Sequence, residues 1–194
     1  MSISVFELFL IGIGPSSSHT VGPMRAASLF LTELLQRKLL DRTKRVKIDL
    51  YGSLALTGRG HGTDKAVLVG LTGAKPESVD PNQIPGTLEQ IRGAQVPNLA
   101  GQHDIKFIEK TDLVFHYDQF LPQHANGLTF SAFDSEDKLS YSHTYYSIGG
   151  GFVLDDEGFK QQNSLDHSPE IQVKYPFKTA AEPMAHCQAQ NGLS

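Results

Sequence analysis

Two hydrophobic periods divide this chain, and their order constrains its fold more than any other feature. From Pro23 to about Leu40, apolar Met24, Ala27, Leu31, Leu34 and Leu35 recur at helical spacing, and Asp41 with a basic cluster follows as a stop. Val46-Lys47-Ile48-Asp49-Leu50-Tyr51 then alternates with a period of two and is bounded by Gly52, which predicts a strand. A further helix is expected to begin near Gly62-Thr63-Asp64. Ala66, Val67, Val69, Gly70 and Leu71 make its apolar side, and Gly73 with Pro76 closes it. Strand candidates fill the second half: Ile105–Ile108, Leu113–Tyr117, Leu128–Asp134 and Leu139–Tyr146, the last two joined by the acidic turn Ser135-Glu136-Asp137. Gly149-Gly150-Gly151 interrupts the pattern before Phe152-Val153-Leu154. Helices gathered in the first half and strands in the second predict an α+β domain, with helices packed on a mostly antiparallel sheet.

The flanks are less regular. Ser4 can cap a short helix over Val5–Leu10, and residues 74–104, rich in Pro, Gly, Asn and Gln, suggest helix only over Leu88–Ile91. The domain is expected to span 1–154, and the acidic, Gln-rich 155–194 reads as a linker with weak structure. Hydrophobic residues make up 39% and charged residues 20%, which fits a soluble globular protein. The net charge of −4 and the lack of a long basic block argue against nucleic acid as a partner. No basic start followed by an apolar stretch and no run of about 18 apolar residues occurs, which disfavours secretion and membrane spanning. A single cysteine, Cys187, excludes an internal disulfide and fits a reducing, cytoplasmic location.

Chemistry concentrates in four places. The stretch Gly12–Arg25 sets glycines, Ser16, Ser17, Ser18, His19 and Thr20 just before a helix. Backbone N–H groups at a helix start are unpaired donors, so this loop either binds an anion or simply caps the helix. His61 sits in Gly60-His61-Gly62-Thr63-Asp64, read as a glycine-flanked loop between strand and helix. It is either a general base or a surface histidine, with Thr63 and Asp64 expected to cap the helix and orient the ring. Ser147 with Gly149 and Gly150 forms either an anion-binding nest or a bulge or hinge at a strand end. His124 and Asn126 lie in a turn before a strand. A nucleophilic pairing of His19 with the adjacent serines is disfavoured, because sequence neighbours do not usually face one another and no nucleophile-elbow pattern surrounds them. A Gly-Lys-Ser/Thr phosphate loop is absent, and His103, His116, His143, His167 and His186 lack the spacing of a zinc site.

Taken whole, Gly14-Pro15-Ser16-Ser17-Ser18-His19-Thr20-Val21-Gly22-Pro23-Met24 resembles the signature of the L-serine dehydratases that use an iron–sulfur cluster. The resemblance continues through Tyr51–Ala66, His124–Gly127 and Tyr146–Gly151, covering most of residues 1 to about 160. One departure stands out: such a cluster needs several thiolates, and this chain has one cysteine. The chain therefore resembles the cluster-free beta domain of these enzymes, with 155–194 leading towards a catalytic domain that holds the [4Fe-4S] cluster. The resemblance implies β-elimination of water from L-serine to give pyruvate and ammonia. In it, His61 would be the base and Ser16, Ser17, Ser18, His19, Thr20, Thr63, Ser147, Gly149 and Gly150 would hold substrate. His124 and Asn126 would touch the catalytic domain, and the assembly would be a homodimer. This chain alone would bind no cluster and deaminate no serine. The beta domain is also similar to the allosteric substrate-binding domain of some phosphoglycerate dehydrogenases, which implies the alternative of a regulatory module for serine or an anion.

Overall fold

The computed structural model describes residues 13–164. The expected helix Val5–Leu10, Cys187, His167 and His186 lie outside the described residues. The chain divides at residue 160 into two units, and the first of them holds the sheet and the helices packed on it. A π-helical turn, Ser17–Val21, runs directly into α1 (Gly22–Gln36). Then come β1 (Arg45–Tyr51), α2 (Gly52–His61), α3 (Thr63–Leu71), α4 (Ile84–Ala94), the short pair β2 (Asn98–Leu99) and β3 (His103–Asp104), and α5 (Glu109–Asp112). β4 (Leu113–His116), β5 (Gly127–Phe133), β6 (Leu139–Gly149), β7 (Phe152–Asp155) and α6 (Asp156–Ser164) complete the order.

The main sheet runs β4-β1-β5-β6-β7, parallel only between β1 and β4, so the architecture is α+β with a mostly antiparallel sheet. Alternation decides which face is covered. Val46, Ile48 and Leu50 of β1 stand opposite Ala132, Phe130 and Leu128 of β5, and all six are fully buried. Met24, Phe30 and Leu34 of α1 and Val67, Leu68 and Leu71 of α3 complete that core, with Phe30 stacked on Phe130 at 5.1 Å between centroids. α1 and α3 approach closely because Gly70 lacks a side chain: a Cβ there would lie 2.6 Å from the Met24 carbonyl oxygen. The opposite face is polar. Asp49 accepts from Lys47 and pairs with His116, each at 2.7 Å, while Thr129 meets Thr144 and Ser131 meets Ser142.

Several boundaries differ from the sequence reading. The strand that ends at Tyr51 feeds a helix at once, with Gly52 at φ +52° making the turn. Glycines at 52, 58 and 60 weaken helical propensity and hide this helix, although Leu54, Ala55 and Gly58 share its buried side. Ile105–Ile108 is not a strand; Lys106 makes one isolated bridge to Arg45, and Ile105 and Phe107 are buried as loop residues. α1 stops at Gln36, where Lys38 adopts φ +57°. The helix suggested at Leu88–Ile91 extends over 84–94. Residues 156–164, within the stretch read as a linker, are helical.

Candidate active site

The π-helical turn and the end of α2 meet at a corner that carries two imidazoles. Ser16 caps the turn, its Oγ accepting from the His19 N–H at 3.2 Å. His19 Nδ1 lies 2.9 Å from Ser18 Oγ, and Nε2 lies 3.0 Å from Ser53 Oγ at the start of α2. A hydroxyl can donate or accept, so the neutral ring is satisfied on both sides in either tautomer. Ser18 and His19, neighbours in sequence, do face one another, contrary to expectation: the Ser18 hydroxyl reaches the imidazole Nδ1. Burial first, and then the nearby His61, hold the His19 imidazole below the ordinary histidine range. The two rings are 5.0 Å apart between centroids.

His61 is the last residue of α2, not part of a strand-to-helix loop. Gly62, at φ +72°, lets the chain turn there into α3. His61 Nδ1 is 3.0 Å from the Thr57 carbonyl oxygen. A carbonyl only accepts, so Nδ1 carries the proton and, in the neutral ring, Nε2 carries the lone pair. The ring borders a cleft of about 430 Å³ whose other walls include Gly14, Thr20, Arg59, Gly60 and Lys65, with Ile13, Val69 and Ile84 as apolar lining. Arg59 lies over the Phe115 ring at 4.4 Å, and neither it nor Lys65 has a carboxylate partner among the described residues. Ser53, Arg59 and Lys65 were not singled out in the sequence. Their signal was their place within Tyr51–Ala66, but only the fold puts Ser53 against His19.

The other sequence-predicted residues divide. Ser17 is exposed and makes no side-chain hydrogen bond among the described residues. Thr20 and Thr63 are buried, and their hydroxyls donate to backbone carbonyls; Thr20 also borders the cleft. Neither Thr63 nor Asp64 caps α3. Asp64 instead pairs with Arg92 of α4 at 3.0 Å, and Arg92 also pairs with Glu109. Ser147 is fully buried, its Oγ without a hydrogen-bond partner among the described residues, packed where Gly22 has no side chain. Gly150 and Gly151 form the two-residue turn between β6 and β7, both with positive φ, and the register shifts between Ser147 and Gly149. Bulge and hairpin account for this glycine run. Asn126 donates through Nδ2 to the Ser147 carbonyl at 3.0 Å, His124 Nδ1 accepts from the Asn126 N–H, and the preceding Ala125 carbonyl accepts from the Ser53 N–H. That turn thus links β6 to the start of α2.

An α+β domain with a histidine-bearing cleft beside a serine-rich helical turn is the class that this geometry defines. The chain belongs to the serine dehydratase beta chain family, whose model matches residues 4–158. It is 47% identical to L-serine dehydratase 1 of Escherichia coli strain K12 over 95% of this chain and 40% of that protein. It is 46% identical to L-serine dehydratase of Streptomyces coelicolor over 100% of this chain and 42% of that protein, and 48% identical to L-serine dehydratase 2 of Escherichia coli strain K12 over 99% and 41%. The chain spans about two fifths of the length of the curated relatives it matches. Among the described residues no helix is long and apolar enough to cross a membrane.

Proposed function

We propose that this chain supplies one wall of the active site of a cytoplasmic L-serine dehydratase. The observation that supports this most is the commitment of His61 Nδ1 to the Thr57 carbonyl, which leaves Nε2 as proton acceptor beside the cleft. His61 Nε2 takes the α-proton of L-serine, and the freed electron pair forms the Cα–Cβ double bond as hydroxide leaves Cβ. The proton and the hydroxide together make up the water lost. The resulting aminoacrylate tautomerises to an imine, which water hydrolyses to pyruvate and ammonia. Ser17 and Ser18, whose amides open the helical turn, hold the substrate carboxylate together with the Ser17 hydroxyl.

The [4Fe-4S] cluster implied by the resemblance does not fit these residues. The chain has one cysteine, and among the described residues no group of three or more His, Cys, Asp or Glu is placed to hold a metal ion. We assign the cluster to the part of the enzyme beyond this chain, the turn at His124–Asn126 to contact with that part, and a homodimer to the assembly. Anaerobic reconstitution of this chain alone is expected to give no cluster and no pyruvate; stoichiometric iron would overturn the assignment.

In the complete enzyme, His61→Asn keeps a hydrogen-bonding side chain but removes the base. Its kcat should fall about a hundredfold or more with KM little changed. Retained kcat with lost affinity would make His61 a binding residue. That result would favour the second reading, a regulatory module for serine or another anion, which the uncompensated Arg59 and Lys65 at the cleft support.

A further inference from the structure

The two histidine-bearing segments are tied by a crossed pair of hydrogen bonds. Thr20 Oγ1 donates to the His61 carbonyl at 2.8 Å, and Thr63 Oγ1 donates to the His19 carbonyl at 2.5 Å. Each threonine thus stands close to one histidine in sequence and holds the backbone of the other.

His19 lies in the π-helical turn, and Pro23, four positions after it, has no N–H with which an α-helical bond to its carbonyl could form. The His61 carbonyl ends α2, where the chain turns away and the last carbonyls lack helical donors. A carbonyl shielded from water without a donor is costly, and each hydroxyl supplies one.

The threonines are also boxed in. Thr63 is 0% exposed and Thr20 4% exposed. A Cβ at Gly14 would fall 2.4 Å from Thr20 Cγ2, and one at Gly58 would fall 2.9 Å from Thr63 Oγ1. Glycine at both positions makes room for these side chains and leaves them little freedom to turn elsewhere.

We propose that Thr20 and Thr63 are positioning residues: their crossed hydroxyl-to-carbonyl bonds fix the His19 and His61 imidazoles in one relation and hold no substrate. The consequence for turnover rests on His61 as the base; the clamp itself does not. Loss of one bond lets the two segments part, which weakens the influence of His61 on His19 and misaligns Nε2 with the substrate.

The test follows the histidine ring titrations by NMR in the 194-residue chain, where His61 is the titratable group that faces His19. Thr63→Val keeps the shape and removes the donor, and should move the His19 titration up towards the ordinary histidine range. Thr63→Ser keeps the donor and should leave the titration in place. A Thr63→Val chain with both histidine titrations unmoved would overturn the clamp, as would a Thr63→Ser chain that shifts as far as Thr63→Val. If Thr63→Val does not fold, Gly58→Ala, which crowds Thr63 Oγ1, takes its place: a His19 shift is expected, and its absence overturns the proposal. In the complete enzyme Thr63→Val should lower kcat about tenfold or more with KM little changed. A shifted His19 titration with unchanged turnover would keep the clamp and count against His61 as the base.

Discussion

Residues 14–22 and residues 147–151 are both rich in glycine and serine, yet the first becomes a helical turn and the second a bulge and hairpin. The element downstream of each segment decides the outcome. The first continues into the 15-residue α1, so its leading amides are unpaired and its hydroxyls gather round His19. The second leads into β7, so its glycines supply the positive φ that a tight turn needs, and their freedom is spent on chain reversal. The segments meet at Gly22, whose missing side chain is the space that Ser147 fills. Similar composition therefore yields a helix-opening turn in one place and a packing element in the other.

The most severe test of this contrast is Gly22→Ala. The new Cβ would fall 1.9 Å from Ser147 Oγ, so strand and helix must part, and overpacking of this kind costs about 1–3 kcal/mol. Urea unfolding measures it, and an unchanged midpoint would mean that the two segments do not press on each other. A smaller effect concerns pH. Burial and the nearby His61 lower the His19 titration in the fold, so as pH falls through about 6.5 the unfolded chain takes up a proton before the folded chain does. Its contribution to stability is complete above that pH and is lost as pH falls towards the depressed folded value. His19→Gln should flatten the pH dependence there relative to the unaltered chain; an identical dependence would deny the depressed value. The smallest signal is anion binding. Titration with phosphate, sulfate or serine should move the amide resonances of Ser17, Ser18 and His19 and leave those of Gly150 and Gly151 still. Saturable shifts at the glycine pair alone would reverse the comparison.

Period was a good guide to the core and a poor one to the corner. The alternation at 46–51 and the apolar positions at 24, 27, 31 and 34 predicted a buried face that the structure places under α1 and α3. α2 was invisible because it holds three glycines, two of which serve close packing: Gly52 admits the Ala125 carbonyl and the Phe120 ring, and Gly58 admits Thr63. The candidate chemistry at His61 was legible as a residue type in a glycine-rich setting, but its proton-bearing nitrogen depends on Thr57, one helical turn earlier in a helix that the sequence did not reveal. His19 and Ser53 are 34 residues apart, and only the fold puts a hydroxyl on each side of the imidazole.

Strands β1 and β4 are neighbours in the sheet but are joined through residues 52–112, a crossover that carries α2 and α3. Closing so long a loop costs chain entropy that the hairpin β5–β6, with its turn at 134–138, does not incur. The hairpin is therefore expected to form early and the β1–β4 pair late, an order that pulsed hydrogen exchange can read from protection at Phe130 and Tyr145 before Val114 and Phe115. The imidazole corner, whose His61 rides on the crossover, is then among the last parts of the molecule to be built. A chain arrested late in folding would present most of its sheet and none of its chemistry.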